Sequence, residues 1–504
     1  MEEKMKKAVL HTDKYFGSTD IDKRVYGSFA EHMGRLVYGG LYQPGHPTAD
    51  ENGFRQDVID LVKEQGVTTV RYPGGNFVSA YRWEDTVGPR DQRPVCTEPA
   101  WKSLESNQFG LNEFMTWCKK TGIEPMMAIN LGTRGADAAR GVLEYCNFNV
   151  GKYAEMRKSH GYADPHNVKM WCLGNEMDGV WQIGHRSADE YGSIAVQTGR
   201  LMKRLDPTLE LIACGSAGVV VPTFCAWDAT VMEHCYDTAD YISVHTYFDN
   251  RNKNEQDSAN FIAASNALDN QIKSVIATMD YVRAKLRKKT YVNLSVDEWN
   301  VVYRPHGKVP PQVWTHAPHE IEDVYNLEDA LLVASLMMTM LRHADRVKIA
   351  CQAQLVNVIS PIMTSDDSAW RQTIYYPFAD MSRYARGRVL PMAVECDKYE
   401  AGIYGDANYI DALLTETPED DTLALFVVNR ELHDSTEITL DLRQYEGYKV
   451  VSHSVLNSEG LRDTNTEAEP NKVAPHAGNA KIEDGILSAV LENHSYNCIV
   501  LKKA

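Results

Sequence analysis

What this 504-residue chain lacks narrows its class before any motif is weighed. No uninterrupted apolar run approaches the ~20 residues that a bilayer-spanning helix needs. The N-terminal MEEKMKKAVLHTDKYFG is charged where a secretory leader would carry an apolar core. An intracellular chain without a membrane partner is therefore expected. Among the ten cysteines there is no CxxC, and even the closest pair, Cys225 and Cys235, is far apart. Zinc ribbons, redox pairs and disulfide frameworks want tighter or more regular spacing, so reduced, buried thiols are expected. Low-complexity tracts are missing, as is a phosphate-cradling GxGxxG turn after the first strand. Basic residues are in deficit, 52 Lys and Arg against 69 Asp and Glu, for a net charge of −17. Such a surface repels phosphate backbones and anionic lipids, so nucleic acid is not an expected partner.

What is present is a globular composition, 43% hydrophobic and 24% charged. From about residue 24 to 385, helical patterns alternate with short apolar strands, often with a glycine at the join. In QDVIDLVKEQGVTTVRYPGG, Val58, Leu61 and Val62 share a helical face, Gly66 supplies the left-handed stop, and Val67 to Tyr72 reads as strand. LNEFMTWCKKTGIEPMMAINLG repeats the plan, with Leu111, Phe114 and Cys118 inward and Gly122 as the stop. Strands of this kind are predicted around 27–31, 67–72, 124–130, 168–175, 210–215, 241–245, 292–297 and 349–355. Eight is the number that closes a (β/α)8 barrel, an α/β fold whose chemistry sits where the strands end and the βα loops converge. A doubly wound sheet is the competing fold. Met337, Met338 and Met340, on a helix expected from about Asn326 to Arg342, are read as core filler. Beyond about residue 390 the pattern becomes two-residue alternation, as in TLALFVVNR, STEITLDL and YNCIVLKK, which predicts an antiparallel β-sandwich. AVLHTDKYF alternates too. The expected division is a 24–385 catalytic barrel and a sandwich built from 1–23 and 386–504.

Polar residues bunch at the predicted strand ends: Glu31, Arg71 and Asn76, Asn130, Asn175 and Glu176, His245 and Tyr247, Asp297 and Glu298, and Gln354. One such residue is ordinarily a solvated loop side chain or a helix cap. A carboxylate, amide or imidazole at strand after strand describes a polar pocket over an apolar barrel. Glu176 follows the fourth strand and Glu298 the seventh, which face each other across the mouth; glycoside hydrolysis uses such a pair, and retention needs about 5 Å between them. Asn175 stands ready for a sugar hydroxyl, and Trp181 and Trp299 offer flat faces for sugar rings. Gly74 and Gly75 in RYPGGN permit a turn that aims Arg71 and Asn76 inward. His245 reads either as a satisfied core histidine or as a partner of a glutamate.

The segments GSFAEHMGRLVYGGLY, RYPGGNFVSAYRWEDTVGP, WCLGNEMDG, SVHTY, SVDEWNVVY and AQLVNVISPI, in order from residue 27 to 362, resemble the α-L-arabinofuranosidases of glycoside hydrolase family 51. The resemblance implies a clan A barrel with a C-terminal β-sandwich that releases terminal arabinofuranose from arabinan, arabinoxylan or derived oligosaccharides through a covalent arabinosyl-enzyme. It assigns the acid/base to Glu176 of GNE and the nucleophile to Glu298 of DEW. Glu31, Asn76, Asn175, Tyr247 and Gln354 match sugar-contacting positions, and Arg71 and His245 match residues that orient the nucleophile. No metal and no organic cofactor is implied, and a homohexamer is. Two positions depart from the family pattern: Val302 stands where a tryptophan often stacks on the leaving sugar, and Thr86 stands where glycine is usual. Trp314 or His316 is expected to rebuild that side of the cleft.

Glu298 beside Arg71 is expected to be held charged, and Glu176 to be raised by its carboxylate neighbour. The sequence also admits a clan A endoglucanase or xylanase with the same glutamates, a metal-dependent barrel enzyme using His32, His245 and glutamates, and a noncatalytic carbohydrate-binding protein.

Overall fold

A computed structural model describes residues 5–250, 255–303 and 314–503. Eight parallel strands close a barrel: β1 (Gly27–Phe29), β2 (Thr69–Tyr72), β3 (Glu124–Ala128), β4 (Met170–Leu173), β5 (Glu210–Ala213), β6 (Tyr241–Phe248), β7 (Asn293–Val301) and β8 (Val347–Ala353). Each lies where the sequence predicts one. They are legible because a parallel strand is covered on both faces, so its residues are apolar almost without interruption. The helix breaks also fall as expected. Helix Gln56–Gln65 stops at Gly66 (φ 79°), whose N–H returns to the carbonyls of Val62 and Lys63, and helix Leu111–Thr121 stops at Gly122 (φ 77°).

Strand β7 runs further than predicted, through Glu298 to Val301. Between Ser243↔Ser295 and His245↔Glu298 its register against β6 slips by one residue, which is a β-bulge. A regular strand sends consecutive side chains to opposite faces; the bulge lets both Asp297 and Glu298 reach His245 and Arg71.

Two further sheets form the sandwich. In the five-stranded one, Lys6–Thr12 lies antiparallel to Met392–Glu395 and parallel to Thr436–Asp441. The seven-stranded one is antiparallel and centres on Ile410–Thr417, Thr422–Asn429 and Ser495–Lys503. Inward residues of both, among them Leu10, Ile438, Leu440, Leu414, Leu425 and Ile499, make an apolar core of their own. The long helix Leu327–Arg342 touches β7 and β8 on one side and these sandwich strands on the other. Covered all round, it is hydrophobic all round, and Met337, Met338 and Met340 are buried in it. All ten cysteines are unpaired, and no described helix is long and apolar enough to cross a membrane.

Candidate active site

The C-terminal ends of the barrel strands converge on a buried charge cluster. Arg71, at the end of β2, donates from Nη1 to Glu298 Oε1 and from Nη2 to Asn175 Oδ1, both at 2.7 Å. Its Nε lies 3.7 Å from Asp297 Oδ2. Tyr247 on β6 donates to the other oxygen of Glu298 at 3.0 Å. The turn after β2 must carry glycine at 75, because a Cβ there would meet Glu298 Oε1 at 2.8 Å. Asn76, next along that turn, accepts from Asn175 Nδ2 at 3.3 Å. The nucleophile candidate is thus gripped at both oxygens and closed in by main chain.

Across the mouth, Glu176 follows β4 in a turn where its own φ is +42°. Its Oε1 lies 3.0 Å from His245 Nδ1, and its Oε2 accepts the Trp181 indole N–H at 2.7 Å. His245 Nδ1 is also 3.5 Å from Glu298 Oε2, and its Nε2 is 3.3 Å from Asp297 Oδ1. One donor atom each from Glu176, His245 and Glu298 falls within 4.8 Å of the others, so the two glutamates stand at the separation of a retaining pair.

The third wall is Glu31, just beyond β1. Its Oε1 accepts the Phe77 backbone N–H at 2.9 Å and the Trp101 indole at 3.1 Å, and Gln354 Nε2 lies 3.4 Å from its Oε2. Trp101 reaches it from a turn held by Glu98, which accepts the N–H groups of Ala100 and Trp101.

These environments set three different protonation tendencies. Burial works against charge on Arg71, but Asp297 and Glu298 outweigh it and raise its affinity for the proton. Burial likewise pulls His245 down, and Glu298, Asp297 and Glu176 overcome that to push the imidazole up to about 10. Burial pushes Glu31, which has no cation beside it among the described residues, up to about 8. For Glu176 the sequence expectation is corrected. Burial raises it, but the hydrogen bond and charge of His245, helped by Trp181 and Arg71, win and hold it below the ordinary carboxyl value. The expectation considered the neighbouring carboxylate and omitted the cation that three carboxylates create between them.

The nine candidate site residues come together in this cluster. Others from the rim do not. Asn130 spends its amide on the Tyr81 carbonyl and on Thr133, folding its own loop. Trp299 is fully buried, so it has no face to offer a sugar; that expectation fails because the bulged strand turns it into the packing. Thr86 is buried among Tyr81, Trp83 and Gly110. Val302 is 6% exposed and offers no platform, while Trp314 is 44% exposed. His316 lies in a short strand, Thr315–His316, paired with Ser103–Glu105 of the segment that carries Trp101. Residues 304–313 of the expected replacement segment lie outside the described residues. His32, invoked for a metal site, has both ring nitrogens engaged, at 2.7 Å from Glu105 and from Tyr72. Sequence reasoning missed Trp101 and the bond from Trp181 to Glu176; a tryptophan in an irregular loop gives no signal of where it points.

Known proteins carry the same build. Residues 61–273 match the α-L-arabinofuranosidase 1 domain and residues 297–495 the α-L-arabinofuranosidase C-terminal domain. An intracellular exo-α-(1→5)-L-arabinofuranosidase 1 of Bacillus subtilis is 51% identical over 505 residues, spanning 99% of this chain and 100% of that one. An exo-α-(1→6)-L-arabinofuranosidase of Bifidobacterium longum is 43% identical, spanning 98% of this chain and 97% of that protein. A solved family 51 α-L-arabinofuranosidase from Bifidobacterium longum superposes with a TM-score of 0.95 at 41% identity, covering 98% of this chain and 99% of the other.

Proposed function

Because this chain belongs to the α-L-arabinofuranosidases of glycoside hydrolase family 51, we propose that Glu176 and Glu298 carry out its hydrolysis of terminal arabinofuranosides by double displacement. The activity is exo-acting α-L-arabinofuranosidase. In the first step a Glu298 oxygen bonds to the anomeric carbon as the glycosidic C–O bond breaks, and Glu176 gives its proton to the departing oxygen. In the second, Glu176 takes a proton from water, the water oxygen bonds to the anomeric carbon, and the ester to Glu298 breaks.

The supporting residues have distinct work in this reading. Arg71 and Tyr247 hold the Glu298 carboxyl in its attacking orientation, and their donors await the charge that returns when the ester breaks. Glu31, raised to about 8, is protonated at neutral pH and offers a sugar hydroxyl a donor as well as an acceptor. Gln354, Asn76 and Asn175 complete the ring of sugar contacts. The single observation that carries the mechanism is the short distance between the two glutamates, within 4.8 Å at their nearest ligand atoms, which leaves no room for the water of an inverting reaction. Proton NMR of the first product from an aryl arabinofuranoside tests it: the α-anomer must appear first, and initial release of the β-anomer overturns the assignment.

Linkage is a finer matter, because the relatives named above split between (1→5) and (1→6) activity. The higher identity favours α-(1→5) here, and arabinobioses of defined linkage decide it. Location inside the cell is proposed from the names of the relatives. A homohexamer is proposed from the family resemblance and is checked by sedimentation. The sandwich's own apolar core supports a sandwich over 1–23 and 386–504 beside a catalytic barrel over 24–385, with the outer faces of its strands, through Leu413, Phe426 and Val500, packed into the barrel's core.

A further inference from the structure

Both oxygens of Glu176 are engaged in this structure, Oε1 by His245 at 3.0 Å and Oε2 by the Trp181 indole at 2.7 Å. Donors on a carboxyl favour its ionised form, whereas the first chemical step needs a proton on it. His245 is 2% exposed and Trp181 53%, so Oε1 faces the barrel interior and Oε2 faces the mouth. A glycosidic oxygen must come within ~3 Å of the carboxyl to be protonated. The ground it has to occupy is covered by the indole.

The cover has a built seat. Gly179, two residues before Trp181, would place a Cβ 2.5 Å from indole Cε2 and 2.7 Å from Cζ2, so only glycine lets the ring lie against the main chain there. The Gly179 N–H closes the same turn onto the Glu176 carbonyl at 2.8 Å. Acid, seat and cover therefore belong to one turn that begins at a residue with φ +42°. The indole has a single N–H, and it is spent on the carboxyl.

We propose that Trp181 is a positioning residue acting as a sugar-displaced cover: the first sugar of the leaving group takes the place of the indole at Glu176 Oε2, and the indole returns once that sugar departs. While the cover is on, the carboxyl is held ionised, the form that accepts a proton from water in the second step. When a leaving sugar displaces it, one donor is lost as the glycosidic oxygen arrives, and the carboxyl holds a proton more readily. Occupancy of the leaving-group site thereby sets the role of Glu176. Among the described residues, the other charged and titratable groups that act on Glu176 are His245 and Tyr247 from β6, Glu298 from β7, Arg71 from β2 and Asp178 from its own turn, with Asp297 of β7 behind His245. The inference rests on Glu176 being the acid/base.

Two variants of the full chain test it. Trp181→Phe keeps the ring and loses the N–H; Gly179→Ala keeps the N–H and pushes the ring off its seat. The readout is kcat/KM against pH on arabinobiose, whose leaving sugar needs a proton, and on 4-nitrophenyl arabinofuranoside, whose phenolate leaves without one. Both variants are expected to move the alkaline limb on arabinobiose upward by on the order of one pH unit, the worth of one charge-assisted hydrogen bond, with no such displacement on the aryl substrate. An unmoved limb in folded Trp181→Phe protein, or an equal loss on both substrates at every pH, overturns the cover. Glu176→Gln separates this from failure of the underlying assignment: if it leaves the ratio of the two substrates as in the parent, the acid itself has been misassigned.

Discussion

The two sides of the barrel mouth hold the same functional group in opposite ways. Glu298 lies within a strand, one oxygen on Arg71 and the other on Tyr247, with the Gly75 main chain against it. Glu176 lies in a turn, 11% exposed at its side chain, with one neighbour buried and the other half open to solvent. A nucleophile must attack along one line, and its surroundings fix it. In the role proposed for Glu176, an acid that later serves as a base must change protonation state, and one of its two partners, Trp181, is exposed where the other is buried. The difference shows that the two halves of a symmetric-looking pair are specified by what can leave them.

Removing the fixed side altogether sets the upper bound. Glu298→Ala is expected to lower turnover of 4-nitrophenyl arabinofuranoside by roughly 10⁴- to 10⁶-fold, the range for loss of a catalytic nucleophile, and a loss under a hundredfold would take Glu298 out of that role. The opposite side answers according to substrate. Glu176→Ala should cost about 10²- to 10⁴-fold on arabinobiose and distinctly less on the aryl substrate in the glycosylation step, read by stopped-flow release of nitrophenolate. Equal losses on both would erase the contrast. Loosening one anchor of the fixed side comes next: Tyr247→Phe removes a hydrogen bond to the Glu298 carboxyl and should lower kcat/KM by about ten- to a hundredfold with the fold intact.

The smallest effect concerns stability and sharpens the comparison with a third carboxyl. Glu31 is raised by burial to about 8, so the folded state binds a proton that the unfolded state loses near pH 4.5. Stability from this group therefore falls as pH climbs between those values. His245, raised to about 10, acts in the same sense: its contribution is whole below about 6.5 and is lost as pH rises through about 10. In Glu31→Gln the part of the decline in Tm between pH 5 and 8 that belongs to Glu31 should vanish, leaving the later decline due to His245. An unchanged slope in calorimetry would show that Glu31 is ionised in the folded protein.

Much of this was legible along the chain, and the failures share one cause. The eight strands, the stops at Gly66 and Gly122 and the pairing of the N-terminal strand with the sandwich follow from local patterns of apolarity and turn chemistry. Glu176 and Glu298 stood out because each follows an apolar run that reads as such a strand, although β7 continues through Glu298. Trp299 was misread because one extra residue in β7 changes which way a side chain points, and no periodicity announces a bulge. Trp101 was invisible because its loop is brought over Glu31 by pairing with Thr315–His316, far along the chain. The direction for Glu176 was wrong because it depends on His245 being a cation, which depends in turn on Asp297, Glu298 and Glu176 all meeting one imidazole.

Strand Lys6–Thr12 sits between Met392–Glu395 and Thr436–Asp441. During synthesis it is made before the barrel, yet its hydrogen-bonding neighbours emerge only after the whole barrel has been made. The growing chain must keep an unpaired edge waiting while the barrel is made, a situation in which capture by another copy competes with correct closure. In the finished molecule the same threading acts like a belt passed round both parts, so one proteolytic nick at the barrel-to-sandwich junction would leave the halves fastened together.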